Sequence, residues 1–193
     1  MRARILPLFL LALAISVAAP AAASNGSNQS QATGVLPFHA EVAVLQLQQV
    51  PVPAGRCTEP LPPGISYLWL TQANGTQTST HLGTGPYHIE LCVYGLLTDP
   101  AAPPPANGIP MGWIVDVQIF TAANGDQLRA TGELIGFTAP PPTPGWQFVE
   151  SLSFLDGGTG RFEHAEGTGQ GVIEQTGAAA VYDGWIRYGE KEK

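Results

Sequence analysis

An all-β domain of eight to ten strands, curved rather than flat, is what this sequence predicts, and three observations carry the expectation. Short β-branched and aromatic runs recur from residue 38 to residue 189. Beyond the first two dozen residues no stretch carries the 3.6-residue apolar repeat of a helix. Between the runs stand turn residues, with 23 glycines and 18 prolines in 193 positions.

The chain opens MRARILPLFLLALAISVAAPAAASNG. Arg2 and Arg4 precede an apolar run from Ile5 to Ala19, and Ala21 and Ala23 place small residues at −3 and −1 of a cut before Ser24. That layout predicts a secretory signal peptide over 1–23. The apolar run is shorter than the ~20 residues a membrane span needs. A polar lead-in over 24–34, SNGSNQSQATG, reads as disordered. The expectation is an exported chain, secreted or periplasmic after cleavage near Ala23, without membrane insertion, whose single β domain covers 35–190.

The strands follow in order as FHAEVAVLQLQQV (38–50), SYLWLTQ (66–72), PYHIELCVYG (86–95), GWIVDVQIFTA (112–122), DQLRATGELIGFT (126–138), GWQFVESLSFL (145–155) and AVYDGWIRYG (180–189). Asn74-Gly75 and Asn124-Gly125 each read as a two-residue hairpin turn, because Asn-Gly tolerates positive φ at both central positions. The proline clusters at 51–64, 100–110 and 139–145 are loops, since proline cannot donate to a ladder.

Alternation assigns the faces. In 145–155, Trp146, Phe148, Glu150, Leu152 and Phe154 share one side; in 112–122, Trp113, Val115, Val117 and Ile119 do. One dry and one partly polar face suit a barrel or a sandwich equally. The glycines of DGGTGRFEHAEGTGQGVIE (156–174) favour curvature. Those at 157–160 permit a tight reversal, and Gly167, Gly169 and Gly171 leave one face of the next strand without side chains.

Charge excludes some partners. With 8 basic and 15 acidic residues the chain carries −7, and losing Arg2 and Arg4 with the leader takes it to −9. Nothing in that balance serves nucleic acid or an anionic membrane surface. Cys57 and Cys92 are the only cysteines, and in an exported chain they are expected to form one disulfide. No cofactor is expected. Oligomerisation is left open.

GGTGRFEHAEGTGQG is similar to the Gly-Gly-Thr/Ser-Gly-x-Phe-x-x-x-x-Gly stretch of plant dirigent proteins and allene oxide cyclases. It is closer still to small exported bacterial proteins of that barrel, in which STHLG, TAANGDQL and GGTGRF occur in this order. Here they stand at Ser79–Gly83, Thr121–Leu128 and Gly157–Phe162, and Asp183-Gly184-Trp185-Ile186 fits the barrel's final strand. The resemblance covers roughly 66–188. It implies a closed, antiparallel, calycin-like barrel of eight strands with a lumen, against which a β-sandwich is the alternative. The two plant families act on hydrophobic small molecules, but none of their catalytic residues can be placed on this chain.

Glu150 is the candidate catalytic group. It lies between Phe148 and Leu152 on an apolar face, so a lumen would desolvate its carboxyl and raise its pKa. An outward position, or pairing with Arg129 or Arg187, would remove that chemistry. Asp116, Glu133 and Asp183 are strand acids in less apolar company. The four histidines, His39, His81, His88 and His164, show no HxH or HxxxH pair, so no metal site is expected. Trp69, Trp113, Trp146 and Trp185 fill a core or line a pocket. Trp113, Phe148, Glu150 and Phe154 form the candidate ligand set.

Three functions follow: a non-catalytic barrel holding a small hydrophobic molecule, an isomerase or cyclase-type or dirigent-like enzyme acting on one, or a secreted scaffold or interaction protein. The first needs an apolar cavity, the second an isolated lumen acid beside a hydrogen-bond partner, and the third a lumen filled by side chains.

Overall fold

The computed structural model describes residues 34–99, 101–104, 106–155 and 157–189. The signal peptide expected over 1–23 and all of the polar lead-in except Gly34 lie outside the described residues. Eight strands, β1 (Leu36–Val50), β2 (Ser66–Ser79), β3 (Gly83–Leu97), β4 (Gly108–Thr121), β5 (Gln127–Phe137), β6 (Phe148–Leu155), β7 (Glu166–Ile173) and β8 (Ala179–Arg187), pair antiparallel in sequence order. β8 returns to β1 through a ladder from Leu36↔Ile186 to Ala43↔Ala179, so the sheet closes on itself. The sandwich alternative is thereby excluded.

Two details differ from the sequence reading. Asn74-Gly75 is no turn: it lies inside β2, where Asn74 pairs with Gln46 and His88, and Gly75 with Val44 and Tyr87. Ladders on both edges override the local turn preference. The chain reverses later, at Thr80–Leu82, where the Leu82 amide bonds to Ser79 Oγ at 3.2 Å. Asn124-Gly125 does turn, but only Gly125 takes positive φ (91°), and Ala122 N–H closes the loop on Asp126 O at 2.7 Å.

The second difference concerns β4. Trp113 and Val115 face inward, but the ladders shift register between Val115 and Gln118, and from there Gln118 and Phe120 turn inward while Val117 and Ile119 do not. A bulge adds one residue to the strand and inverts the parity of all that follows. The same device recurs on β1 between Val44 and Gln46.

The two ends of the barrel are unlike. One is sealed by Phe38, Phe120, Leu128, Phe154 and Ile186 inside, with Phe162 beneath them, all nearly or fully buried. The three motifs of the resemblance meet here. Thr159 and Gln127 exchange bonds, N–H to O at 2.8 Å and N–H to Oγ1 at 2.8 Å, and the Arg161 guanidinium donates to His81 O. Gly160 takes φ 58° directly against Asp126, where a Cβ would lie 2.1 Å from Oδ1. Only glycine fits there, and the turn it makes carries Phe162 under the barrel. The glycine-rich stretch is a stopper.

At the opposite end lie the loops 51–65 and 138–147, which hold two of the proline clusters, and the described part of 98–107. The third cluster, read as a loop over 100–110, ends within β4, where Pro110 pairs with Gly95. The first is fastened to the outer wall. Cys57 is bonded to Cys92 of β3, and the neighbouring Arg56 guanidinium bridges Glu90 and Asp116, its Nε donating to Asp116 Oδ2 at 2.6 Å. Burial alone would raise the Glu90 pKa, but hydrogen bonds from Arg56 and Gln72 outweigh it and hold the carboxyl below its ordinary value.

The disulfide spans 35 residues, a length at which cross-linking removes roughly 3–4 kcal/mol of unfolded-chain entropy. Reduction, or paired Cys57→Ala and Cys92→Ala replacement, is expected to lower unfolding stability by that amount in urea titration; Arg56→Ala alone is expected to cost about 1 kcal/mol.

Candidate functional site

Packing stops halfway along the barrel. Above the aromatic plug lies a cavity of about 310 Å³, within the range of small-molecule sites. Its wall is almost wholly apolar, with Val42 and Val44 inward from β1, Ile89 and Leu91 from β3 and Ile173 from β7, and its mouth reaches exposed Leu47, Gln49 and Gln175. The hollow follows from side-chain size: in this half Ala73, Ala180 and Gly171 occupy inward positions, whereas the sealed half carries phenylalanines.

Polar groups concentrate on the floor. Glu150 of β6 faces inward and is fully buried. Trp113 Nε1 donates to its Oε2 at 2.9 Å, and the Tyr182 hydroxyl donates to its Oε1 at 3.3 Å. The Tyr87 hydroxyl lies 3.2 Å from that of Tyr182 and receives Gln118 Nε2 at 2.9 Å. Five side chains from β3, β4, β6 and β8 thus form one linked chain, and the β4 bulge brings both Trp113 and Gln118 into it.

Neither arginine named as a partner in the sequence reaches Glu150: Arg187 pairs with Glu166, and the carboxyl's own bonds go to Trp113 and Tyr182. Desolvation dominates, so its pKa rises from 4.5 to about 7 despite both hydrogen bonds, which act in the opposite sense. Burial, and after it the nearby Glu150 charge, holds the Tyr87 and Tyr182 phenols far above their ordinary values. The floor is therefore a weak acid flanked by two neutral hydroxyls.

A missing side chain makes the contact feasible. Gly171 pairs with Glu150 on one edge and Tyr182 on the other. The Tyr182 ring lies across it, and a Cβ there would stand 2.4 Å from Cε1. The alternating glycines of β7 thus admit side chains of neighbouring strands into the lumen: Phe154 lies over Gly167, Tyr182 over Gly171.

The other candidates separate. Trp113 and Phe148 line the cavity and pack edge-to-face at 4.8 Å. Phe154 sits in the sealed half against Phe38 at 4.8 Å, because it lies four residues beyond Glu150 along β6, below the floor. Trp69 joins the cavity wall; Trp146 precedes β6 at the mouth, stacked edge-to-face on Phe137 and Phe148; Trp185 lies on the outer surface. His39 bonds Asp183 on the exterior at 2.7 Å, which raises its pKa, and Asp116 belongs to the Arg56 clamp. Among the described residues no group of His, Cys, Asp and Glu is placed to hold a metal ion, and no helix is long and apolar enough to cross a membrane.

The alternation that singled out Glu150 could not find Tyr87, Gln118 or Tyr182. They look like ordinary strand residues until the barrel brings them within bonding distance. Comparison with protein-family models and with curated protein sequences finds no match. The class of protein is thus defined by the fold and the site themselves: a closed antiparallel barrel, stoppered at one end, with an apolar hollow over a buried acid.

The folded chain holds a proton on Glu150 that the unfolded chain releases between pH 4.5 and about 7. Stability from this group is complete below that window, falls through it, and is lost above it, by about 3 kcal/mol. Glu150→Gln is expected to match the parent below about pH 4.5 and to exceed it by up to about 3 kcal/mol above pH 7, as read by urea unfolding across that range. Gly171→Ala, forcing the Tyr182 ring aside, is expected to cost about 1–3 kcal/mol, whereas Gln170→Ala on the outer face is expected to stay within about 0.5 kcal/mol.

Proposed function

We propose that this protein is an exported β-barrel of the allene oxide cyclase and dirigent-like kind that binds a small hydrophobic molecule in its lumen. One observation carries the reading: a preformed hollow of about 310 Å³, walled by aliphatic and aromatic side chains, remains open at one end of an otherwise packed barrel. A scaffold working only through its surface has no use for that hollow, since filling it would gain stability at roughly 25 cal/mol per Å² of apolar area buried. The leader-like start and the disulfide support export. The strand order and the three motifs assembled at the stopper support the family likeness.

A second reading is favoured by Glu150. A carboxyl held near neutrality beside a phenol has the proton affinity of a general acid or base. An isomerase or cyclase-type step on the bound molecule would use that proton. Glu150→Gln separates the two readings, because it preserves a binding role and abolishes proton transfer.

The neutral fluorophore N-phenyl-1-naphthylamine is expected to brighten in the presence of the protein and to quench Trp69 and Trp113. Ala180→Phe, which fills the hollow from the β8 wall, is expected to abolish uptake without altering the far-ultraviolet circular dichroism. Native mass spectrometry of protein from its exporting host is expected to show a bound small molecule. Absence of probe uptake together with a clean apo mass overturns the reading.

A further inference from the structure

The floor of the lumen can be counted hydrogen by hydrogen. With Glu150 ionised the chain runs one way: Gln118 donates to Tyr87, Tyr87 to Tyr182, Tyr182 to Oε1, and Trp113 to Oε2. The Tyr87–Tyr182 direction follows because Tyr182 has one hydrogen and spends it on the carboxylate. Every hydroxyl and indole hydrogen in the chain is then used.

A proton on the carboxyl adds one donor and no acceptor. Both carboxyl oxygens already receive a hydrogen, and the Tyr182 hydrogen points at the group that would now donate to it. Reversing the chain moves the surplus to Tyr87, where it meets the Gln118 amide N–H; the Gln118 Oε1 atom, buried and without a partner among the described residues, is turned away. With the Gln118 amide held in this orientation, the direction left for the surplus hydrogen is the hollow, which Glu150, Tyr87 and Tyr182 all line. A buried donor with no acceptor costs about 1–3 kcal/mol, so the floor favours an occupant that supplies an oxygen.

We infer that the lumen selects a neutral, mostly apolar molecule bearing one hydrogen-bond-accepting oxygen, a ketone, aldehyde or ester, which is docked oxygen-down on the Glu150 carboxyl with its hydrocarbon part toward the mouth. The inference rests on the lumen-binding reading above and adds orientation and chemical class to it. At the packing density of protein interiors the hollow holds about a dozen heavy atoms, and a larger molecule such as the fluorophore extends through the open mouth. A carboxylate would bring a net negative charge into apolar surroundings that offer it no cation among the described residues, and a hydrocarbon would leave the surplus donor unmet.

Binding is then linked to protons. The groups facing Glu150 are Trp113 and Gln118 from β4, Tyr87 from β3, Tyr182 from β8, Gly132 and Leu134 from β5, and Gly171 from β7. None of these is charged, and the two phenols stay neutral through the physiological range. Ionisation of Glu150 itself is what removes the donor, through pH about 7.

Displacement of N-phenyl-1-naphthylamine by four molecules of one skeleton tests this: 4-phenyl-2-butanone, n-butylbenzene, 4-phenylbutyrate and 4-phenylbutylamine. At about pH 5.5 the ketone is expected to bind about tenfold more tightly than butylbenzene, an advantage that shrinks toward unity at about pH 8.5. Glu150→Gln, which keeps an N–H donor at every pH, is expected to hold the ketone advantage constant across the range. Glu150→Leu is expected to lose it while still taking butylbenzene. A ketone advantage that is absent or independent of pH in the parent protein, or preference for the amine or the carboxylate, overturns the inference and leaves lumen binding intact. Failure of the fluorophore and butylbenzene alike to bind overturns the lumen reading beneath it.

Discussion

The ladder between β1 and β8 is the constraint from which the rest follows. A sheet of eight strands left open would present two edges of unpaired amides and carbonyls; pairing Leu36 with Ile186 through to Ala43 with Ala179 satisfies both at once. Closure also converts one face of every strand into an enclosed interior. A carboxyl on that face has no route to bulk water except through the mouth, so its ionisation becomes costly. The acidity of Glu150 is in this sense a property of a hydrogen-bond ladder that begins two strands away, at β8.

The interior is divided by a change in side-chain volume. Toward the stoppered end the inward positions carry Phe38, Phe120, Phe154, Leu128 and Leu152, whose edge-to-face contacts fill the space. Toward the proline loops the inward positions include alanine, threonine and valine, and the space is left over. Stability and cavity are thus built at opposite ends of one tube. Prolines suit the open end, because loops that frame a mouth must keep their shape without strand partners, and a fixed φ limits what they lose on ordering. The disulfide and the Arg56 clamp act to the same effect on the longest described part of that rim.

Much of this was legible in the chain. The β-rich runs located seven strands to within a few residues, except that β2 continues through Asn74-Gly75 to Ser79, and the alternating glycines located the eighth. Alternation over 145–155 grouped Glu150 with Phe148 and Leu152 on one face without saying which way that face points, and in the barrel it points inward. Strand β4 resisted the same treatment. A bulge costs one residue and leaves no mark in composition, so alternation carried straight through it assigned Val117 and Ile119 to the face that Gln118 and Phe120 occupy. Phe154 was read as a ligand contact from parity alone, and parity says nothing about depth along the tube.

Local chemistry in the sequence determined the strands, the single disulfide, the turn chemistry of the stopper and the presence of one acid on an apolar face, because each depends on periodicity or on residues a few positions apart. Tertiary structure alone decided that the acid meets two phenols, an indole and an amide, that Gly171 clears the room for Tyr182, and that half the lumen stays hollow. Those outcomes depend on register across β3, β4, β6, β7 and β8 and on the difference between the volume a barrel encloses and the volume its side chains fill. Neither quantity is carried by any one segment of the chain.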